Sequence, residues 1–305
     1  MVKLLIGGSP CTHWSVARPK GREIEAKGIG WELFQNYVTA KNLFQPDVFL
    51  YENNWSASDD IKAQIEKELN VPLLRFNSAL LSAQNRDRFY AVNFPVKLPE
   101  DKELVLKDIL LPIKNVPKKY HYNDTPYIPL YPLGQRRVWG IMDIKGMDVI
   151  KRIYNIDFKA PTLTCDGSGG HRVKKIYQNG VIRKLTPVEY ERLQTLPDNY
   201  TDGISDSRRY NCVGNGWTAD VITYILQGGL KNVDKNEKII VISMYDGIGT
   251  GRYCLEKLGF TNIEYHAFEI DEYAIKIAKK NFPDIIEHGN AFNVEEEIRK
   301  IKTEF

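Results

Sequence analysis

Cys11 closes the run Gly7-Gly8-Ser9-Pro10-Cys11, Glu52 opens Glu52-Asn53-Asn54, and Arg86 and Arg88 sit two apart in Gln84-Asn85-Arg86-Asp87-Arg88. A thiolate is the strongest common protein nucleophile, although a free cysteine titrates near ~8.5 and needs positive surroundings to ionise. A glutamate beside it can act as an acid once burial raises its pKa. Arginines at i and i+2 of an extended segment face the same side. Each also has a plainer reading: a buried structural cysteine, a capping or solvated carboxylate, a pair of surface arginines. A second set is Tyr245-Asp246-Gly247-Ile248-Gly249-Thr250-Gly251, with Glu269 downstream. Glycines let a backbone turn tightly and approach a ligand, and a carboxylate at that separation suits ribose hydroxyls. The G-x-G-x-G spacing differs from the G-x-G-x-x-G of nicotinamide sites, which disfavours a nicotinamide enzyme. The plainer alternative is a glycine turn in an ordinary βα unit.

These residues need a scaffold, and the hydrophobic pattern supplies one. Residues 2–6 form an apolar strand that stops at Gly7-Gly8, 30–44 carry a helical period, and 47–51 form a strand ending on Glu52. Residues 88–94 alternate as a strand. Residues 186–197 are expected to be helical, with Thr186 as N-cap, Pro187 in the first turn and Glu189 completing a capping box. A helix over 218–227 precedes a polar linker at 228–238, followed by a strand at 239–244, a helix near 251–258, a strand near 263–268 and a helix over 272–281. Polar residues at strand ends in such alternation predict a parallel α/β sheet. Residues 95–160 differ: prolines cluster and no helical period is sustained, as in a small, loop-rich insertion.

Composition bounds the rest. The 305 residues suffice for a large domain and a smaller one, with 43% hydrophobic and 27% charged residues, as in ordinary soluble proteins. No apolar run is long enough to span a bilayer, and the apolar start is too short for a secretory signal. The four cysteines fit neither a zinc pattern nor a disulfide framework, which predicts a metal-free protein in a reducing, cytoplasmic setting. Net charge is +3, yet residues 96–190 hold 17 Lys and Arg against 10 Asp and Glu. That segment suits a phosphate backbone, or is simply a solvated surface.

Gly-Ser-Pro-Cys at 8–11, Glu-Asn-Asn at 52–54 and Gln-Asn-Arg-Asp-Arg at 84–88 resemble, in order, the nucleophile, Glu-Asn and Gln-x-Arg-x-Arg motifs of the cytosine-5 DNA methyltransferase family. Arg183 to Gln194 resembles that family's Arg-x-Leu-Thr-x-x-Glu-x-x-Arg-Leu-Gln helix, and Gly214-Asn215-Gly216-Trp217 its last motif. Asp246–Gly251, Phe268-Glu269-Ile270-Asp271 and Gly289-Asn290 resemble its first three. Two departures stand out. The cofactor motifs follow the last motif instead of leading, as in a circular permutation, and the third motif's Gly-Asp is Gly289-Asn290.

The resemblance implies a Rossmann-like, S-adenosylmethionine-dependent methyltransferase sheet with a small inserted target-recognition domain. It implies methyl transfer to C5 of a flipped cytosine through a covalent Cys11 adduct, with Glu52, Arg86 and Arg88 as the other catalytic residues. Tyr245, Asp246, Gly247, Gly249, Thr250, Gly251, Glu269, Ile270, Asn290, Ala291, Asn215 and Trp217 would contact the cofactor. Ser9, Pro10, Asn53, Gln84, His171, Arg172 and Lys174 would contact double-stranded DNA. The expected segments are a catalytic half at 1–95, recognition domain at 96–182, returning helices at 183–227, linker at 228–238 and cofactor half at 239–305. A monomer is expected, with or without a cognate restriction endonuclease. An RNA cytosine-5 methyltransferase and an inactive binding protein are the alternatives; the intact Cys11, Glu52, Arg86 and Arg88 disfavour the second.

Overall fold

The computed structural model describes residues 1–16, 21–122, 124–165 and 172–303. In chain order the first elements are β1 (Val2–Gly7), α1 (Ile29–Phe44), β2 (Val48–Asn54), α2 (Asp59–Leu69), β3 (Leu73–Asn77) and β4 (Asp87–Val92). Next come α3 (Leu106–Ile109), β5 (Tyr127–Pro129), β6 (Val138–Met142), α4 (Asp148–Lys151), β7 (Arg152–Tyr154), β8 (Lys175–Gln178), β9 (Val181–Lys184), α5 (Pro187–Leu193) and α6 (Asp206–Asn215). The chain finishes with α7 (Ala219–Gly229), β10 (Ile239–Met244), α8 (Thr250–Lys257), β11 (Ile263–Phe268), α9 (Glu272–Asn281), β12 (Ile286–Glu287) and α10 (Val294–Thr303). The mixed α/β class expected from the sequence is present. The chain divides into two compact units: residues 1–76, 87–98 and 221–305 form the first, and 77–86 with 99–220 the second.

The first unit is built on a seven-stranded sheet in the order β12-β11-β10-β1-β2-β4-β3. β1 pairs in parallel with β10, Val2 opposite Ile239 through Gly7 opposite Met244, and in parallel with β2, ending at Gly7 opposite Tyr51. β10, β11 and β12 are also parallel, whereas β4 runs antiparallel to β2. All six residues of β10 are buried, which is why its sequence is a continuous apolar run rather than an alternation. From β10 the chain winds outward through β11 to β12, and from β1 it winds the other way through β2. The point where winding reverses lies between β10 and β1, and open α/β sheets place ligands at the carboxyl edge of such a point. Gly7 is required there, because a Cβ on it would lie 2.7 Å from the Met244 carbonyl oxygen. A shared core of Leu5, Phe34, Tyr37, Tyr51, Phe89, Ile240, Ile242, Met244, Phe268 and Ile298 ties both halves of the sheet together.

The second unit holds a five-stranded sheet in the order β5-β6-β7-β8-β9, mostly antiparallel, with β7 and β8 parallel. Its main core joins Leu106, Tyr154, Leu163, Ile176, Leu185, Tyr190, Leu193 and Tyr210. Residues 95–160 are loop-rich, as expected, and between the loops they contribute three strands, each of three to five residues and therefore too short to show a period. One expectation changes. The segment boundary expected at 183 falls inside the unit, since α5 and α6 share its core.

Candidate active site

The carboxyl edge of the first sheet collects the reactive side chains. Cys11 begins a short 3-10 turn, Cys11–His13, just beyond β1, and its carbonyl accepts from the Trp14 and Ser15 N–H groups. Cys11 is partly exposed and bears a free thiol. The approach to it is pinned from β2. The Asn53 amide donates to the Ser9 carbonyl at 2.9 Å and lies 3.2 Å from the Ser9 hydroxyl, which is 2.7 Å from the Tyr51 hydroxyl. Burial pushes the Tyr51 hydroxyl far above its ordinary pKa, so it stays protonated as a donor. Ser9 and Asn53 are buried and therefore position the Cys11 loop rather than offering their own polar atoms outward.

Glu52 follows directly on the Gly7–Tyr51 pairing, at the same edge. Arg88 sits near the start of antiparallel β4, opposite Asn54, so it comes to that edge from the other direction. The Arg88 Nε lies 2.9 Å from Glu52 Oε1, and both side chains are about a tenth exposed. Arg88 also donates to the Asp87 carbonyl at 2.9 Å. A buried carboxylate held by a guanidinium has a fixed orientation.

The glycine loop follows β10 on the adjacent strand. Tyr245, Gly247 and Gly249 all have positive φ, at 60°, 66° and 75°. Gly251 lies in the first turn of α8, where a Cβ would collide with an Ile6 methyl. Asp246 accepts from the Ser243 and Tyr265 hydroxyls, each at 2.6 Å, through Oδ1 alone. Its Oδ2 is buried and without a partner among the described residues. Burial, reinforced by Glu269 and opposed by these hydrogen bonds, raises its pKa to about 6. Glu269 accepts from three backbone N–H groups, those of Gly247 (2.8 Å), Ile270 (2.7 Å) and Asp271 (2.9 Å). A carboxylate has about four acceptor positions, so Glu269 locks the loop and still has capacity for a hydroxyl. Ile270 is 73% exposed, an apolar side chain left uncovered beside that carboxylate. Tyr245 turns away and donates to the Leu33 carbonyl of α1 at 2.7 Å. Asn290 spends its carbonyl oxygen on the Phe292 N–H, and Ala291 is buried.

Sequence reasoning missed Glu287, the last residue of β12. Both its carboxyl oxygens are buried without partners among the described residues. Burial first, then the charges of Asp246 and Glu269, raise its pKa to about 7. Its signal was its place at a strand end three residues before Asn290, but a two-residue strand has no readable period.

Of the remaining expected residues, Pro10 is exposed and Thr250 buried in the first unit, and the others lie in the second. Arg86 is buried and donates to the carbonyls of Leu163, Gly214 and Gly216. Gln84 is fully buried, bonded to Leu193, Gln194 and Leu163. Its described bonds are all internal, so it braces the end of α5 against the segment at Leu163 and does not present itself to DNA. Gly214 fits because a Cβ would meet the Thr164 backbone at 2.9 Å. In the segment 214–217 Asn215 is exposed and accepts from the Cys165 thiol at 2.5 Å, and Trp217 is half-buried. Lys174 also departs from expectation. It is buried, reaches the Thr164 hydroxyl at 3.4 Å, and burial lowers its pKa to about 8, which ill suits a phosphate contact. Arg172 is exposed, and His171 lies outside the described residues. The Arg183–Leu193 motif proves architectural: Arg183 and Glu189 form a fully buried double contact at 2.8 and 2.6 Å, and Glu189 also caps Thr186.

Among the described residues no cluster of His, Cys, Asp and Glu suits a metal, and no helix is long and apolar enough to cross a membrane. Residues 1–228 match the C-5 cytosine-specific DNA methylase family. The chain is 28% identical over 250 residues to Type II methyltransferase M.HpaII of Haemophilus parainfluenzae, covering 70% of this chain and 67% of the relative. It is 27% identical over 255 residues to M.Bsp6I of Bacillus sp., covering 75% and 79%, and 27% identical over 254 residues to M.HhaI of Haemophilus parahaemolyticus, covering 73% and 74%. With a cysteine, a guanidinium-held glutamate and a glycine loop on one sheet edge, the chain belongs to the C-5 cytosine-specific DNA methylase family and is a DNA cytosine-5 methyltransferase.

Proposed function

We propose that this enzyme methylates cytosine in duplex DNA with S-adenosylmethionine, using Cys11 as nucleophile, and that its chain is a circular permutation of the family's usual order. The observation that carries the reading is the shared edge: Cys11 after β1, Glu52 and Arg88 beside it, and the glycine loop after β10, on neighbouring strands from opposite ends of the sequence.

Cytosine C5 is a poor nucleophile until a group adds at C6. Cys11 supplies that group, and Glu52 stabilises a proton on N3, so that negative charge built up in the ring is neutralised. Arg88 fixes the Glu52 carboxylate in place. S-adenosylmethionine, when bound, supplies the electrophilic methyl group. The residues present fit that cofactor: Asp246 has an unpartnered oxygen for a cationic centre, Glu269 has acceptor capacity for ribose, and Ile270 is uncovered for an aromatic ring. The target base must leave the helix to reach Cys11, at a cost of a few kcal/mol offset by contacts to the flanking DNA. The second unit, with the basic stretch at 96–190, is the target-recognition part in this reading.

The permutation reading draws on the family match, which ends at 228 and leaves β10 to α10 beyond it. Those elements nevertheless complete the same sheet beside β1. Methylation-sensitive sequencing of DNA from cells expressing the chain tests the activity, with 5-methylcytosine expected at a recurring sequence. DNA without added 5-methylcytosine would refute it.

A further inference from the structure

Residues 126–137 are all exposed, although they read Pro-Tyr-Ile-Pro-Leu-Tyr-Pro-Leu-Gly-Gln-Arg-Arg. Ile128 is 65% exposed and Leu133 56%, and no Asp or Glu occurs between 125 and 142. Exposed apolar residues gathered in one place mark an interaction surface. This segment forms a well-rooted hairpin. Ile128 of β5 pairs with Ile141 of β6, and the Leu130 N–H bonds the Trp139 carbonyl at 2.8 Å. Trp139 is buried and stacks on Tyr177, with ring centroids 4.3 Å apart. At the far end Gly134, at φ +82°, lets the Gln135 N–H reach the Pro132 carbonyl at 3.4 Å. The Arg136 guanidinium lies 4.7 Å above the Tyr131 ring. The hairpin thus has an anchored base and an apolar, positively charged tip.

Two occupants suit such a tip: a second copy of the chain, or DNA. β5 is the edge strand of its sheet and carries Pro129, with Pro126 and Pro132 flanking. Prolines lack the N–H that an added strand needs, which blunts the edge against pairing with another copy. Two arginines without a neighbouring acid favour a polyanion. In the major groove an Arg presents paired donors to the guanine edge, a Gln presents one donor and one acceptor to the adenine edge, and apolar groups pack on thymine methyls.

We propose that the β5–β6 tip, residues 130–137, reads the target sequence by entering a DNA groove, with Gln135, Arg136 and Arg137 addressing base edges. This rests on the second unit being the recognition part.

The test is the methylation pattern left by the intact enzyme and by Arg136→Ala, Arg136→Lys, Arg137→Ala and Leu133→Ser variants on a randomised duplex library. Melting temperature and calorimetric S-adenosylmethionine binding serve as folding controls. Loss of one bidentate arginine is expected to lower methylation at preferred sites roughly ten- to a hundredfold and to relax selectivity at one base position. Arg136→Lys is expected to resemble Arg136→Ala, because a lysine cannot reproduce the fork. Uniform weakening with the pattern intact would reduce the tip to a phosphate contact and overturn the proposal. Tip variants that only break a dimer and leave methylation unchanged would assign the hairpin to self-association and overturn it too. Failure of the wild-type enzyme to methylate any sequence would strike the activity itself, whereas an active wild type with unaltered variants would strike the hairpin alone.

Discussion

Asp246 and Glu287 are carboxyl groups that burial, reinforced by neighbouring carboxylates, holds in the protonated form to higher pH than usual. Their folded pKa values, about 6 and about 7, exceed the ordinary carboxylate values of 3.8 and 4.5. The folded protein therefore holds protons that the unfolded chain has released between about pH 4 and pH 7, and stability from these groups falls as pH rises through that window. A bound cation favours the ionised form, so S-adenosylmethionine affinity is expected to rise between pH 5.5 and pH 8 with proton release. Glu287→Gln should flatten the upper part of that rise, as calorimetry in two buffers would reveal; an unchanged profile would remove Glu287 from the cofactor's surroundings. Cys11→Ser should abolish methyl transfer and leave cofactor binding intact, because the thiolate is needed only at the ring. The strand-end positions of Cys11, Glu52 and the glycine loop were legible in the hydrophobic pattern, whereas the roles expected of them came from the family resemblance. Gln84 and Lys174 were misjudged because a polar side chain turned inward looks, in a sequence, like one turned outward.

At the scale of elements, α5 shows what local signals can carry. Thr186 accepts from the Glu189 N–H at 3.2 Å and the Glu189 carboxylate accepts from the Thr186 N–H at 2.7 Å, the reciprocal bonding that the spacing predicts. Thr186→Ala should cost about 1 kcal/mol in urea unfolding. Glu189→Ala should cost about 3–5 kcal/mol, since it strands the fully buried Arg183 charge. Near-equal effects of the two would deny Glu189 its second role. β10 was legible for the same kind of reason, as a wholly apolar run. By contrast α2 went unread, although Ser58 caps it and Ile61, Ile65 and Leu69 line its buried side. Its surface is so charged that those three residues barely register as a period. The five strands of the second sheet, three to five residues each, are too short to declare themselves without their partners, and β5 also carries Pro129.

At the scale of the whole molecule, the sheet closes around a seam between β10 and β1, whose residues stand at opposite ends of the chain. If the order is a permutation, a chain opened within 230–237 and joined from 305 to 1 by a Gly/Ser linker should fold and methylate. A rearranged chain that stays soluble and binds S-adenosylmethionine but never methylates would count against it. The central claim is that Cys11, near the front of the chain, attacks a base presented to a methyl donor held by its tail. The direct measurement is covalent trapping on duplex DNA containing 5-fluorocytosine, in which fluorine at C5 blocks the proton loss that frees the enzyme. With S-adenosylmethionine present, a DNA-linked protein should form, and peptide mapping should place the link on Cys11. No adduct, or an adduct on Cys165, Cys212 or Cys254, would contradict the account.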